Sequence, residues 1–225
     1  MKQKIAAIIP CYNEELTIGK VIKDIKDLVP EALVYVCDNN STDRTYDVAK
    51  SAGASVFKEN KQGKGFVVQT LFDKVDADIY VMVDGDDTYD LTHLREMVSS
   101  VINGNAVMVV GRRLPSNESK TLKQYHPSGN IIVKFLVNTL FRANLKDIMS
   151  GFRIMDSLLV KNINIVSQGF EVETEMTIKA LKRNYLIKEV DIDYKERPNG
   201  SYSKFRTLRD GLKIVKTIIL LFIKG

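Results

Sequence analysis

Apolar runs of strand length alternate with stretches of helical period through the first half of the chain. "KIAAIIP", "ALVYVCD", "ASVFKE", "DIYVMVD" and "AVMVVGRR" are apolar runs bounded by polar turns, a pattern that predicts buried strands. Between the first two, Ile18, Val21, Ile22, Ile25 and Leu28 recur at helical spacing. "STDRTYDVAKSAG" opens on a Ser or Thr cap and stops at Gly53, and "GKGFVVQTLFDKV" and "LTHLREMVSSVING" predict two further helices. Strands this apolar, separated by helices, predict an α/β fold: a mostly parallel central sheet covered on both faces. Ligands of such sheets bind beyond the carboxyl ends of the strands. Tyr12, Asn13 and Glu14, then Asp38, Asn39 and Asn40, then the acidic cluster from Asp84 to Asp90, then Arg112 and Arg113 follow successive strands. All four sets are expected on one rim.

The second half is less regular. "LPSNESKTLKQYHPSG", 114–129, is polar with two prolines and reads as a mobile loop. "NIIVKFLVNTLFRANL" and "FEVETEMTIKALKRN" predict helices, "GFRIMD" and "YLIKEVDIDY" strands, and "KERPNGSYSKF" a turn-rich loop. The final segment carries Leu208, Leu212, Val215, Ile219 and Phe222 on one stripe, with Arg206, Arg209, Lys213 and Lys216 elsewhere. This pattern fits either a core helix or a basic amphipathic helix lying on an anionic membrane, and the membrane is favoured because the final run is apolar on every side. The chain therefore divides into an α/β body, 1–204, and a membrane-associating helix, 205–225.

Length and charge narrow the picture. The chain has 225 residues, enough for a large core. A net charge of +5 favours anionic partners, but the basic residues are scattered, which argues against nucleic acid. The two cysteines, Cys11 and Cys37, follow strand-like runs and read as buried thiols rather than a disulfide framework. No stretch reaches the roughly 20 apolar residues of a spanning helix. Pro10, Asn13 and Glu14 interrupt the N-terminal apolar run before it reaches signal-peptide length. The expected location is cytoplasmic, peripheral at the inner face of the cell membrane.

Four stretches carry candidate chemistry. Asp84 and Asp86 form a D-x-D behind a buried strand, where both carboxylates can face one hard divalent cation that keeps water and phosphate oxygens as further ligands; a solvated acidic loop or helix cap is the alternative. Asp90 is expected to cap the helix beginning at Leu91, and Asp43 to lie in the first turn of its helix. Asp38, at a strand end, can accept from a nucleobase N–H or a ribose hydroxyl; the alternative is that it shapes the turn with Ser41. "KQGKG" brings Gly63, Lys64 and Gly65 to a helix start, where backbone N–H groups can meet a phosphate; a plain glycine turn is the alternative. Arg197, Ser201, Ser203 and Lys204 on "RPNGSYSK" are groups that can bind phosphate on a loop; a plain solvated loop is the alternative.

"IIPCYNEE", "DNNSTDRT", "GKG", "VDGDD", "VGRR", "SGFR", "GFEVETEM" and "EVDIDYKERPNGSYSK" occur in the order seen in family 2 glycosyltransferases. The chain resembles the dolichol-phosphate mannose synthase and polyprenyl-phosphate glycosyltransferase branch from Ile5 to about Lys204. The resemblance implies a GT-A fold, a nucleotide-sugar donor and Mg²⁺ or Mn²⁺. It implies that Pro10, Tyr12, Glu14 and Asp38 hold the nucleoside, that Asp84 and Asp86, with Gly85 between them, serve metal and diphosphate, and that Arg113, Arg197 and Lys204 serve phosphates; Lys64 joins the nucleotide-sugar set from its place in "KQGKG". The acceptor phosphate falls to Lys123, His126, Ser128, Arg153, Ser201, Ser203 and Lys204. Relatives often carry Gln two positions after the second metal Asp, where this chain has Thr88.

The resemblance further implies inversion at the sugar C1 by a phosphate oxygen of a polyprenyl phosphate. A phosphate monoester is mostly ionised near pH 7, so no strong base is required, and Asp86, Arg113 and Arg197 carry the catalytic charge. A UDP-sugar of glucose or N-acetylglucosamine type is the favoured donor, with GDP-mannose second. Two alternatives stay open. One is transfer to a sugar hydroxyl, with Asp87 or Glu173 as base; the other is a nucleotide-sugar-binding subunit with little activity. The expected partners are donor, lipid phosphate and a membrane surface or an integral membrane partner protein. Homo-oligomer formation is left open.

Overall fold

The computed structural model describes residues 3–115 and 127–224. In chain order the strands are β1 (Ile5–Cys11), β2 (Leu33–Asp38), β3 (Ser55–Lys58), β4 (Ile79–Met82), β5 (Met108–Pro115), β6 (Arg153–Asp156) and β7 (Ile187–Tyr194). Among the described residues they form one sheet of order β3-β2-β1-β4-β6-β5-β7. Every pairing is parallel except those of β6, which runs antiparallel to both β4 and β5. The mostly parallel sheet expected from the apolar runs is present, with β6 as its one reversed strand.

Helices cover both faces. They are α1 (Ile18–Leu28), α2 (Thr45–Ser51), α3 (Lys64–Lys74), α4 (Leu94–Ile102), α5 (Pro127–Phe141), α6 (Ser157–Asn162), α7 (Val172–Lys182) and α8 (Thr207–Ile223). Strand alternation explains the two layers. Ile5, Ala7, Ile9 and Cys11 of β1 face one core with α1 and α4, while Ala6 and Ile8 face a second core with α3 and α7. A third cluster joins α5, α7 and α8 through Val133, Val137, Ile178, Ile214 and Ile218.

Several local expectations need correction. α4 begins at Leu94, not Leu91, and Asp90 instead accepts from the Thr92 backbone at 3.0 Å in the turn before it. α2 has no Ser or Thr cap; its N-cap is Arg44, and Asp43 precedes the helix and accepts from the Thr45 backbone at 2.9 Å. α6 was not foreseen, although Asp156 caps it by accepting from Leu159 N at 2.8 Å. At the ends of the loop read over 114–129, β5 reaches Pro115 and α5 starts at Pro127, and 116–126 lie outside the described residues.

Candidate functional site

A cavity of about 760 Å³ opens at the carboxyl edge of β1 and β4. Pro10, Tyr12 and Glu14 come to it from β1 and the turn after it, and Asp84, Gly85 and Asp86 from the turn after β4. The opposite wall is the 203–213 stretch leading into α8. Two glycines make room at the acids. A Cβ on Gly85 would sit 2.5 Å from Cys11 Sγ, and one on Gly151 would sit 2.4 Å from Asp84 Oδ2.

The acids hold cations supplied by the chain itself. Lys64 Nζ lies 2.6 Å from Asp84 and 2.5 Å from Glu173. Burial alone would lower the Lys64 pKa; Asp84 and Glu173 outweigh it and raise it, so the ammonium is fixed. Arg197 pairs with Asp86, and Thr88 donates to Asp86 Oδ1 through its backbone at 3.2 Å and its hydroxyl at 2.6 Å. Thr88 thereby anchors the second Asp of the D-x-D. Lys204 Nζ and Arg197 Nη1 reach Glu14 Oε1 at 2.5 and 3.3 Å. Burial nonetheless raises the Glu14 pKa, with Lys204 and Arg197 opposing the shift.

Arg113 is aimed by a residue that pattern reading did not single out. Its Nε and Nη2 bond the two oxygens of Asp147 at 2.7 and 2.8 Å, and its backbone N reaches Asp147 Oδ2 at 3.1 Å. Neighbouring Arg112 turns to the other face of β5 and pairs with Asp191. Asn39 Oδ1 accepts from Gly63 N at 2.7 Å, which brings Lys64 to the rim.

The structure gathers Pro10, Tyr12, Glu14, Lys64, Asp84, Gly85, Asp86, Arg113, Arg197, Ser203 and Lys204 around the cavity. Other candidates lie elsewhere. Arg153 has no exposed surface; its Nε, Nη1 and Nη2 bond Ser150 O, Thr177 Oγ1 and Ile148 O. It braces the core and cannot meet an acceptor phosphate. Asp87 turns away to pair with Lys20 at 2.8 Å, so it is not the base considered above. Ser201 donates to Glu14 Oε2 at 3.2 Å and holds that acid. Asp38 is buried, is not among the residues lining the cavity, and accepts from Ser41 N at 3.3 Å. Lys123 and His126 lie outside the described residues, and Ser128 falls in the first turn of α5.

Sequence reading also missed part of the wall: Arg206, Arg209 and Lys213 of the tail line this cavity with Phe170, Phe205 and Met149. Their spacing of three and four residues was the available signal.

The donor set can be tested against a metal. Among the described residues no three His, Cys, Asp or Glu side chains cluster as a ligand group. Asp84 and Asp86 could give an ion two carboxylates, the remaining positions falling to water and phosphate oxygens. That suits a hard, octahedral divalent cation and not a zinc cage. Both carboxylates already face cationic groups, so the site is built for positive charge.

A sheet-edge cavity lined by paired acids and a surplus of bases defines an α/β protein that handles phosphorylated ligands. Residues 6–163 match the family model described as Glycosyl transferase family 2, and the chain belongs to that family. Over 215 residues it is 30% identical to the dolichyl-phosphate hexose transferase of Haloferax volcanii, covering 96% of this chain and 92% of that protein. Protein RfbJ of Shigella flexneri is 52% identical over 122 residues, 54% of this chain and 95% of that protein. Glucosyl-3-phosphoglycerate synthase from Mycobacterium tuberculosis, solved with Mn²⁺, UDP and phosphoglyceric acid, superposes with a TM-score of 0.78 at 20% identity. The overlap covers 98% of this chain and 78% of that one, and the fold is GT-A. The protein is thus a nucleotide-sugar-dependent glycosyltransferase.

Proposed function

We propose that this enzyme transfers a hexose from a nucleoside diphosphate sugar, preferentially a UDP-sugar, to the phosphate of a polyprenyl lipid. The observation that carries the reading is the cavity's charge: Asp84 and Asp86 beside Lys64, Arg113, Arg197 and Lys204. Two acids suit a divalent cation, and the cations around them suit the phosphates of donor and acceptor. The dolichyl-phosphate hexose transferase relative, matched over nearly its whole length, supports the lipid acceptor.

In this reading Pro10 and Tyr12 border the nucleoside, and Asp84 and Asp86 would hold Mg²⁺ or Mn²⁺. The bound ion would supply charge neutralisation for the departing diphosphate. Arg197 and Lys204 turn from Glu14 and Asp86 toward the diphosphate, while Asp147 keeps Arg113 aimed into the cavity. An acceptor phosphate oxygen attacks the sugar C1; the C1–O bond to the nucleotide breaks and its electron pair leaves with the nucleoside diphosphate. The nucleophile arrives ionised, so no side chain must take a proton. Glu173 is the carboxylate best placed to serve a hydroxyl acceptor, but Lys64 holds it in an ion pair. Exposed Ile131, Ile132 and Phe135 of α5, with Leu208 and Leu212 of α8, suit work at a membrane surface.

Radiolabelled UDP-sugars and GDP-mannose, given with Mn²⁺ and either undecaprenyl phosphate or undecaprenol, test this. The expected outcome is label in the organic phase with the phosphate only, with stoichiometric release of nucleoside diphosphate. Label moving to sugar hydroxyl acceptors while undecaprenyl phosphate stays inert would overturn it.

A further inference from the structure

The basic residues lining the cavity fall into two groups. Lys64, Arg113, Arg197 and Lys204 each face a carboxylate. Arg206, Arg209 and Lys213 also line the cavity, yet among the described residues no carboxylate forms an ion pair with their side chains. The nearby acid, Asp210, is buried and accepts from the Arg206 backbone N at 2.7 Å, capping the start of α8. Uncompensated positive charge along a concave wall attracts an anion.

The same turns of α8 carry apolar groups outward. Leu208 precedes Arg209 and is 84% exposed; Leu212 precedes Lys213 and is 73% exposed. Met149, Phe170 and Phe205 line the cavity beside the charges, with the two Phe rings 5.5 Å apart. α5, packed on α8 through Val133, Val137, Ile214 and Ile218, adds Ile131, Ile132 and Phe135 to the outer face. The helix that carries the free charges and the helix packed on it thus both expose large apolar side chains.

We propose that Arg209 and Lys213 form the acceptor-phosphate subsite, taking the phosphomonoester headgroup of a long-chain lipid whose tail leaves over the apolar outer faces of α8 and α5. A phosphomonoester carries about −1.5 to −2 charge at pH 7, which two unpaired cations one helical turn apart can match. The geometry gives the two phosphate-bearing substrates separate counter-charges. The donor diphosphate meets bases that already neighbour the acids; the acceptor meets bases that have no acid. The proposal rests on the lipid-phosphate reading above and assigns its acceptor end to α8 instead of to Arg153.

The test is calorimetric titration of farnesyl phosphate, farnesol and inorganic phosphate into the wild type and an Arg209→Ala/Lys213→Ala variant, with UDP and Mn²⁺ titrated separately. Both sites lie on exposed or half-exposed helix, where Ala is well tolerated; an Arg209→Gln/Lys213→Gln variant and a thermal melt control for folding. Farnesyl phosphate is expected to bind the wild type, to weaken about tenfold or more in both variants, and to outcompete inorganic phosphate, with farnesol not binding. UDP affinity is expected to change by less than roughly twofold. Unchanged farnesyl phosphate affinity in the variants overturns the subsite, and if the wild type still glycosylates undecaprenyl phosphate, the functional reading stands without it. Equal loss of UDP binding would return the two residues to the donor site. Inorganic phosphate binding as tightly as farnesyl phosphate would remove the lipid. A wild type that neither binds nor glycosylates any lipid phosphate ends both the reading and the subsite.

Discussion

Asp147 is almost fully enclosed, and its two oxygens are committed to Arg113 and to Asn130 Nδ2. Burial alone would raise its carboxyl pKa; the Arg113 guanidinium outweighs burial and holds it below the ordinary carboxylate range. A depressed native pKa contributes stability that is present above the unfolded value of about 3.9 and is lost as pH falls through the native one. Asp147→Asn is therefore expected to cost about 3–5 kcal/mol near neutral pH by stranding Arg113. It should also flatten the wild type's loss of stability in strong acid, as urea unfolding at several pH values would measure. Equal acid sensitivity in both proteins would contradict the pairing. Arg113 was visible in the sequence because it ends an apolar run. Its orienting partner was not, since nothing local ties residue 113 to residue 147. Arg153 failed in the opposite way: "SGFR" looks like a site motif, but the strand's alternation sends the side chain into the core.

At the level of elements, α3 shows how packing can imitate a ligand motif. "KQGKG" reads as a backbone made bare for phosphate. The space those glycines leave is taken by the chain itself: a Cβ on Gly65 would lie 2.0 Å from Ser167 O, and one on Gly63 would lie 2.1 Å from Gln168 O. Gly65 N also donates to Gln168 O at 3.1 Å. Gly65→Ala must push the start of α3 off a backbone that cannot swing aside. The expected cost is about 1–3 kcal/mol or more, read as a drop in thermal midpoint, together with weakened nucleotide binding as Lys64 shifts. An unaltered midpoint would mean that the two segments are not in contact. The tail helix was legible to a similar extent. Its outward stripe is as the pattern has it, with Ile219 and Phe222 also partly open. Its basic side was read as facing lipid headgroups because sequence does not say that the start of α8 forms a cavity wall.

Across the whole molecule, the parallel strands do most of the organising. Apolar runs ending in polar turns were enough to foresee the sheet and the part of the rim after β1 and β4, because strand direction alone brings those ends together, whereas Asp38 and Arg112 do not line the cavity. The reversed β6, short α6 and the 203–213 wall depend on contacts between distant segments, and periodicity carries no record of those. No helix among the described residues is long and apolar enough to cross a membrane, and the outer faces of α5 and α8 carry exposed apolar side chains. The central claim concerns the rim: two carboxylates, now facing Lys64 and Arg197, hold a divalent cation against a nucleoside diphosphate. Titrating UDP into the wild type and Asp86→Asn, each with Mn²⁺ and again with chelator, tests it most directly. The account predicts that Mn²⁺ tightens UDP binding to the wild type by about tenfold or more and leaves Asp86→Asn nearly indifferent. Equal affinity with and without the ion in the wild type, or an undiminished Mn²⁺ effect in Asp86→Asn, would contradict it.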